Sequence, residues 1–286
     1  MNWDKAKNLT IVFLVILNFF LLGLVYTTGR GYVLTAEQQS AILAVLAGRG
    51  VSVNAQIPAS HRPMESIRIA PASYDTQAML DVFFAHLPLG SEIIRMTESG
   101  QIIFIHTHNA EVGQRLTISE AGVLFENFLD DDLIIDVRGF VARNSGVFPG
   151  YVFDGQFEDN SLVTITYRQQ YRGHLFYSNF VSFTKENGVL TKIQYVHNEL
   201  LNFDSNPKNI LSADEALFAF LLHPRVQGRP EVVINRMDIV YFQENIVGDE
   251  ETLIKAHPAY RFYIEGDNEA ILIDATTGEV ELNGHS

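Results

Sequence analysis

The sequence predicts an α+β protein: a single N-terminal transmembrane helix followed by two ectodomain units, each a helix laid on an antiparallel sheet. Three observations carry that expectation. Residues 9–26, LTIVFLVILNFFLLGLVY, form a long apolar run. Two helix openings of one kind, Leu34-Thr35-Ala36-Glu37 and Leu211-Ser212-Ala213-Asp214, each lead towards strand-like segments, as a duplicated unit would, although such caps also recur by chance. Between them the cluster NSGVFPG at residues 144–150 gathers the glycine, proline and small polar residues of a boundary.

As a helix, residues 9–28 reach roughly 30 Å, the thickness of a bilayer's hydrocarbon core. Within 9–26 only Thr10, Asn18 and Gly23 depart from apolar chemistry, and no charge follows until Arg30. The run is longer than the core of a cleaved signal peptide, and the following YTTGRGY offers no small-residue cleavage site, so an uncleaved anchor is expected. Lys5 and Lys7 on one side against Arg30 on the other place the tail, residues 1–8, in the cytoplasm and the bulk of the chain outside. Asn18 sits near the middle of the span, where an amide seeks a hydrogen-bond partner on another helix or on its own backbone.

After the anchor, Thr35 caps a helix with Ile42, Leu43, Val45 and Leu46 on one face, stopped by Gly48 and Gly50. Residues 66–70 read as a strand. Residues 74–87 read as a second helix, with Met79, Val82, Phe83 and Leu87 at helical spacing and Pro88 beyond. QIIFIHT at 101–107 reads as a buried strand, and 117–129 as a helix weakened by Gly122. These elements make up the first ectodomain unit, residues 32–143. In the second, 151–286, three strand-like runs at 162–171, 174–184 and 189–197 form a meander joined by Arg172-Gly173 and Glu186-Asn187-Gly188. Ser212 caps a helix with Asp214 and Glu215 in its first turn, ended by His223-Pro224. Strands at 258–265 and 270–274 follow, and the turn Thr276-Thr277-Gly278, with Gly278 expected at positive φ, leads to a last strand at 280–282.

The formal charge of −14 is spread along the chain with no Lys/Arg-rich segment, which excludes nucleic acid as a partner. An acidic ectodomain is not drawn to anionic lipid, so membrane contact is expected through the one anchor helix. Zero cysteines exclude a disulfide framework. His106 and His108, two apart on a strand, are the sharpest metal-like pair, but no H-E-x-x-H or third ligand accompanies them. Asp130-Asp131-Asp132 lacks the alternating spacing of a calcium loop. G-x-S-x-G and the phosphate-binding glycine loops are absent, and paired carboxylates decide nothing among 34 acidic residues. No catalytic, cofactor-binding or metal residue is assigned, and an enzyme is not expected. Aromatic residues instead concentrate in the meander: Tyr167, Tyr171, Phe176, Tyr177, Phe180 and Phe183. Most belong to a core; Tyr171, Phe176 and Tyr177 are the candidate interaction face.

The start MNWDKAK, followed by FLVILNFFL at 13–21, resembles the N-terminus of the YycI family of membrane-anchored regulators. QYRGHLF at 170–176 is similar to that family's Y-x-G-x-P-[IL]-F hairpin, with His174 where proline is usual. LSADEAL at 211–217, Pro258-Ala259-Tyr260 and DATTGEV at 274–280 resemble the helix and terminal hairpin of PepSY-like domains. The resemblance covers the anchor and about residues 160–286, and little of 36–145. It implies a non-enzymatic protein of a Gram-positive cell membrane that associates, with a YycH-like protein, with a WalK (YycG) sensor histidine kinase and adjusts cell-wall control, largely through transmembrane helices. Asn18, Phe19 and Leu22 are then the partner-binding residues of the anchor. Two other functions stay open: a PepSY-like inhibitor or chaperone of an external protease, and a membrane-anchored cell-wall hydrolase.

Overall fold

The computed structural model describes residues 13–18, 34–58, 62–88, 90–108, 111–128, 135–243 and 254–281. Its architecture corrects the expected fold class of two consecutive helix-on-sheet units. Fifteen strands among the described residues join one hydrogen-bonded system of parallel and antiparallel pairs, with short helices packed against it. No described helix is long and apolar enough to cross a membrane. Residues 13–18 are helical, and the rest of the 9–28 run, Phe19 and Leu22 included, lies outside the described residues.

Helix α1 (Ala36–Ala47) opens as its residues demand: the Thr35 hydroxyl accepts from the Gln38 N–H at 3.3 Å, and the Gln38 side chain accepts from the Thr35 N–H at 2.9 Å. Ile42 and Leu46 turn inward, whereas Val45 is exposed. Strands β1 (Val51–Val53) and β2 (Ile67–Pro71) follow. Helix α2 (Thr76–Phe83) is shorter than the periodicity suggests, because the Asp75 carboxylate accepts from the Gln77 and Ala78 N–H groups and fixes the start there. Strands β3 (Ile93–Glu98) and β4 (Gln101–His108) form a hairpin.

Residues 117–129 are not helical. They fall in β5 (Glu111–Ser119) and β6 (Gly122–Asn127), joined at Gly122, whose φ of +143° no helix supplies. Leu116, Ile118, Val123 and Phe125 are buried at a spacing of two, the strand period. Helix α3 (Val137–Arg143) leads through 144–150 to β7 (Tyr151–Asp159). That connection is packed: Phe148 is 2% exposed, and the Asn144 side chain donates to the Phe140 carbonyl at 2.9 Å. The expected meander is present as β8 (Leu162–Tyr171), β9 (His174–Glu186) and β10 (Val189–Val196). Both of its turns, Arg172-Gly173 and Asn187-Gly188, hold two successive positive φ angles. Then come β11 (Asn198–Phe203), α4 (Ala213–Leu221), β12 (Val232–Gln243), β13 (Ile254–Ile264), β14 (Ile271–Asp274) and β15 (Val280–Glu281).

The main sheet runs β11-β2-β13-β12-β9-β10-β6-β5-β4-β3, with β8 paired antiparallel to β9 and β7 to β8, β14 and β15 beyond β13, and β1 parallel to β12. Two large cores form along it. One draws on both ends of the described chain, with Leu46, Ile67 and Ile69 packed among Phe220, Ile234, Tyr260 and Phe262. The other draws on the middle, with Phe83, Phe125, Phe140, Phe148, Phe183 and Tyr195. The chain leaves the first for the second near Tyr74, reaches back into the first at Phe176 of β9, and returns to it at His197. There the Tyr74 hydroxyl accepts from the His197 N–H at 3.0 Å and donates to its carbonyl at 3.3 Å. The halves are therefore interleaved along the sequence, since a period-two pattern reports which face of a strand is apolar and nothing about which distant strand lies beside it.

Candidate functional site

The tip of the β8–β9 hairpin carries the most developed surface feature. The positive φ of 48° at Arg172 and Gly173 behind it turn the chain so that Tyr171 and Arg172 lie against β11. The Tyr171 ring stacks on Phe203 at 5.4 Å, and the Arg172 guanidinium sits 4.1 Å above the same ring, with a carboxylate oxygen of Glu65 at 3.4 Å. Beside them opens a groove of about 560 Å³ lined in part by Arg62, Met64, Arg172, His174, Phe203 and Tyr241. Tyr241 meets His174 edge-on at 6.0 Å. Burial pushes its phenol up to about 12, with Glu65 adding to the shift and Arg172 opposing it, so the hydroxyl stays protonated. Aromatic faces, a fixed guanidinium and a phenol suit recognition of a partner surface; Tyr and Arg dominate such contacts.

Of the three residues expected on one face, the structure keeps only Tyr171 there, 37% exposed. Phe176 is a core residue, 1% exposed and stacked at 5.2 Å under Tyr241. Tyr177 falls on the opposite side of β9, as the pleat requires, with the Arg168 guanidinium 3.9 Å from its ring and Phe242 at 6.0 Å. Among the anchor residues, the Asn18 amide donates to the Leu14 carbonyl at 2.9 Å, and Phe19 and Leu22 lie outside the described residues.

A buried ion cluster joins strands that no local sequence pattern places together. Arg261, fully buried on β13, grips Asp154 of β7 with two bonds of 2.7 and 2.9 Å and Asp238 of β12 with two of 2.7 and 2.8 Å. Arg168 of β8 reaches Asp154 at 2.7 Å and also donates to the Tyr177 carbonyl. Arg236 of β12 bridges Asp154 at 2.9 Å and Asp238 at 2.8 Å. Burial drives the Asp154 carboxyl upward, but Arg261, Arg168 and Arg236 outweigh it and hold the group at about 2. The cluster joins β7 and β8 of the middle half to β12 and β13 of the other. Its trace in the sequence is Arg261 within the otherwise apolar PAYRFYI, because a charge inside a buried strand implies a partner.

Of the histidine pair, the side chain of His108 lies outside the described residues. On the core side of β4, His106 lies near His86, whose imidazole is held below its usual range by burial, with Gln114 opposing and His106 reinforcing. His86 bonds Gln114 at 3.1 Å, and Gln114 passes the contact to Asn127 at 3.2 Å. No group of three His, Asp or Glu side chains is placed to hold a metal ion among the described residues. Asp130-Asp131-Asp132 lies outside them. The 274–278 turn is structural: Asp274 accepts from the Thr276 N–H at 2.6 Å and the Thr277 N–H at 2.8 Å, and Gly278 has φ +77°.

No family model and no curated protein sequence matches the chain. Among solved structures, the fold is similar to an uncharacterized protein from Eubacterium rectale ATCC 33656, at 10% identity over 82% of this chain and 91% of that one, with a TM-score of 0.53. The Bacillus megaterium YpeB C-terminal domain overlays more loosely, at 14% identity over 74% of this chain and 97% of that one, with a TM-score of 0.45. The first likeness extends to the fold alone.

Proposed function

We propose that this chain is a membrane-anchored extracytoplasmic regulatory protein that modulates a WalK (YycG)-like sensor histidine kinase in cell-wall homeostasis, alongside a YycH-like protein. The observation that best supports this reading is the preset surface at the β8–β9 tip. Tyr171 and Arg172 are locked onto Phe203 beside a groove that offers aromatic and guanidinium contact area. The anchor supplies the second contact. Among the described residues one amide N–H of Asn18 bonds the Leu14 carbonyl, and the amide's carbonyl and second N–H are the groups proposed to meet a neighbouring helix. Such bonds average about 0.6 kcal/mol, so Asn18→Leu weakens association by roughly threefold.

Co-purification of the full chain with its candidate kinase in detergent tests the reading. Exchanging residues 9–26 for an unrelated spanning helix should abolish recovery, and Tyr171→Ala with Arg172→Ala should reduce it. Retention at native strength by both variants sinks the proposal. A second reading, a PepSY-like inhibitor or chaperone of an external protease, draws on the order α4, β12, β13, β14 closing at the Asp274 turn, where the Leu211 N–H donates to the Ala275 carbonyl at 2.6 Å. Inhibition of a secreted protease by the chain, with no kinase recovered, would favour it.

A further inference from the structure

The C-terminal ends of α1 and α4 leave an apolar surface open. Leu222 is 69% exposed, Val45 50% and Phe218 44%, around a groove of about 510 Å³ that Arg49 and Arg229 also line. The only charged residues in that lining are these arginines, in a chain whose formal charge is −14. Arg229 holds Asp267 at 3.1 Å, while Arg49 has no ion pair among the described residues. Leu222, the C-cap of α4, stands outside with Phe218 and Val45 as one apolar patch, rimmed by the two arginines and with no carboxylate in the lining among the described residues.

Chain order gives this patch a neighbour. Helix α1 is the first element of the folded body after the apolar run, and only residues 27–33 separate Tyr26 from Leu34, which is buried in the core. Those eight steps span at most about 28 Å even fully extended. A tether that short holds the body at an effective concentration on the order of millimolar against the surface in which the run is seated, so a contact too weak to form from bulk solution is populated.

We infer that this patch seats the protein on the bilayer: Val45, Phe218 and Leu222 enter the headgroup region, and Arg49 and Arg229 meet anionic lipid phosphates. The inference rests on the anchoring proposed above, and it revises the expectation, drawn from net charge, that the anchor is the sole membrane contact. Overall charge is acidic; the surface that the tether can bring to the lipid is locally basic and apolar.

The chain has no cysteine, so one label can be placed without interference. Full-length protein carrying Leu222→Cys, labelled with an environment-sensitive fluorophore, is reconstituted into mixed phosphatidylcholine and phosphatidylglycerol vesicles containing nitroxide lipids. Val45→Cys provides a second patch site and Leu162→Cys, on β8, a distant exposed control. Quenching several-fold stronger at positions 222 and 45 than at 162, diminished in vesicles of phosphatidylcholine alone and by Arg49→Glu with Arg229→Glu, is the expected result. Equal quenching at all three positions overturns the inference. So does fluorophore self-quenching that rises with protein density without lipid quenching, which would assign the patch to a second copy. Washing the vesicles with alkaline carbonate reports on anchoring separately: chain lost in the wash refutes the anchor, whereas chain retained with unquenched labels refutes only the patch.

Discussion

Asp154 concentrates the energetics of the molecule in one carboxylate, 1% exposed and bonded to three arginines. Its folded-state value of about 2 lies below the ordinary 3.8, so the group stabilises the fold above that ordinary value and loses the contribution as pH falls from about 4 towards 2. Asp154→Ala leaves the buried Arg261 with Asp238 as its one carboxylate and takes away the carboxylate that Arg168 grips, and it is expected to cost about 3–5 kcal/mol in urea denaturation. The half-exposed Arg172–Glu65 pair is a different case. Glu65→Ala is expected to cost at most about 1 kcal/mol, because solvent screens it, and equal losses for the two variants would mean that burial does not set the scale. At this scale the sequence was half informative. The charge inside the 258–264 strand is visible in the chain itself, but its partners Asp238 and Asp154 are 23 and 107 positions away, and only the folded sheet makes them neighbours.

Turns and caps are the best-read elements, because their causes are local. Thr35 and Ser212 each close a capping box within four residues, and Asn187-Gly188 needs only its own φ angles. Gly278 belongs with them. A side chain there would combine a left-handed φ with a Cβ 3.1 Å from Leu211, so Gly278→Val should destabilise by about 1 kcal/mol or more, and an unchanged melting temperature would count against that conformation. Gly122→Ala should cost more, since its Cβ would meet the Tyr195 carbonyl at 2.6 Å on the neighbouring β10. That contact also explains why 117–129 is extended where its local spacing tolerates a helix: the hairpin is held by a strand some seventy positions on. Strand β12 has no clear strand pattern in the sequence for a related reason. Arg236 and Asp238 interrupt its apolar pattern because they serve the ion cluster, so a polar-looking segment lies in the middle of the sheet.

At the scale of the whole molecule, the interleaving of the two cores governs cooperativity. Residues 144–150 carry the composition of a boundary, yet Phe148 is buried there and β10 pairs with β6 across the proposed division. Limited proteolysis is therefore expected to spare this stretch, and release of a stable fragment beginning near 151 would show that the halves fold independently of that pairing. His86, His197 and His223 are each held below the ordinary histidine value, chiefly by burial, so each favours the folded state when neutral. The unfolded chain binds the extra protons first. Stability should consequently decline as pH falls below about 6.5, well before Asp154 titrates, and a melting temperature flat from pH 7 to about 5 would contradict those buried, neutral rings. The interaction surface was legible only in part: Tyr171 announced itself in the hairpin motif, whereas Phe203, Glu65 and the groove arrive from distant strands and loops. Regulation of a sensor kinase by contact is tested most directly by autophosphorylation of the candidate kinase reconstituted with and without the full chain. A several-fold change in rate, lost when residues 9–26 are exchanged and weakened by Tyr171→Ala with Arg172→Ala, is the expected result. A rate identical in the presence and absence of the chain would contradict it.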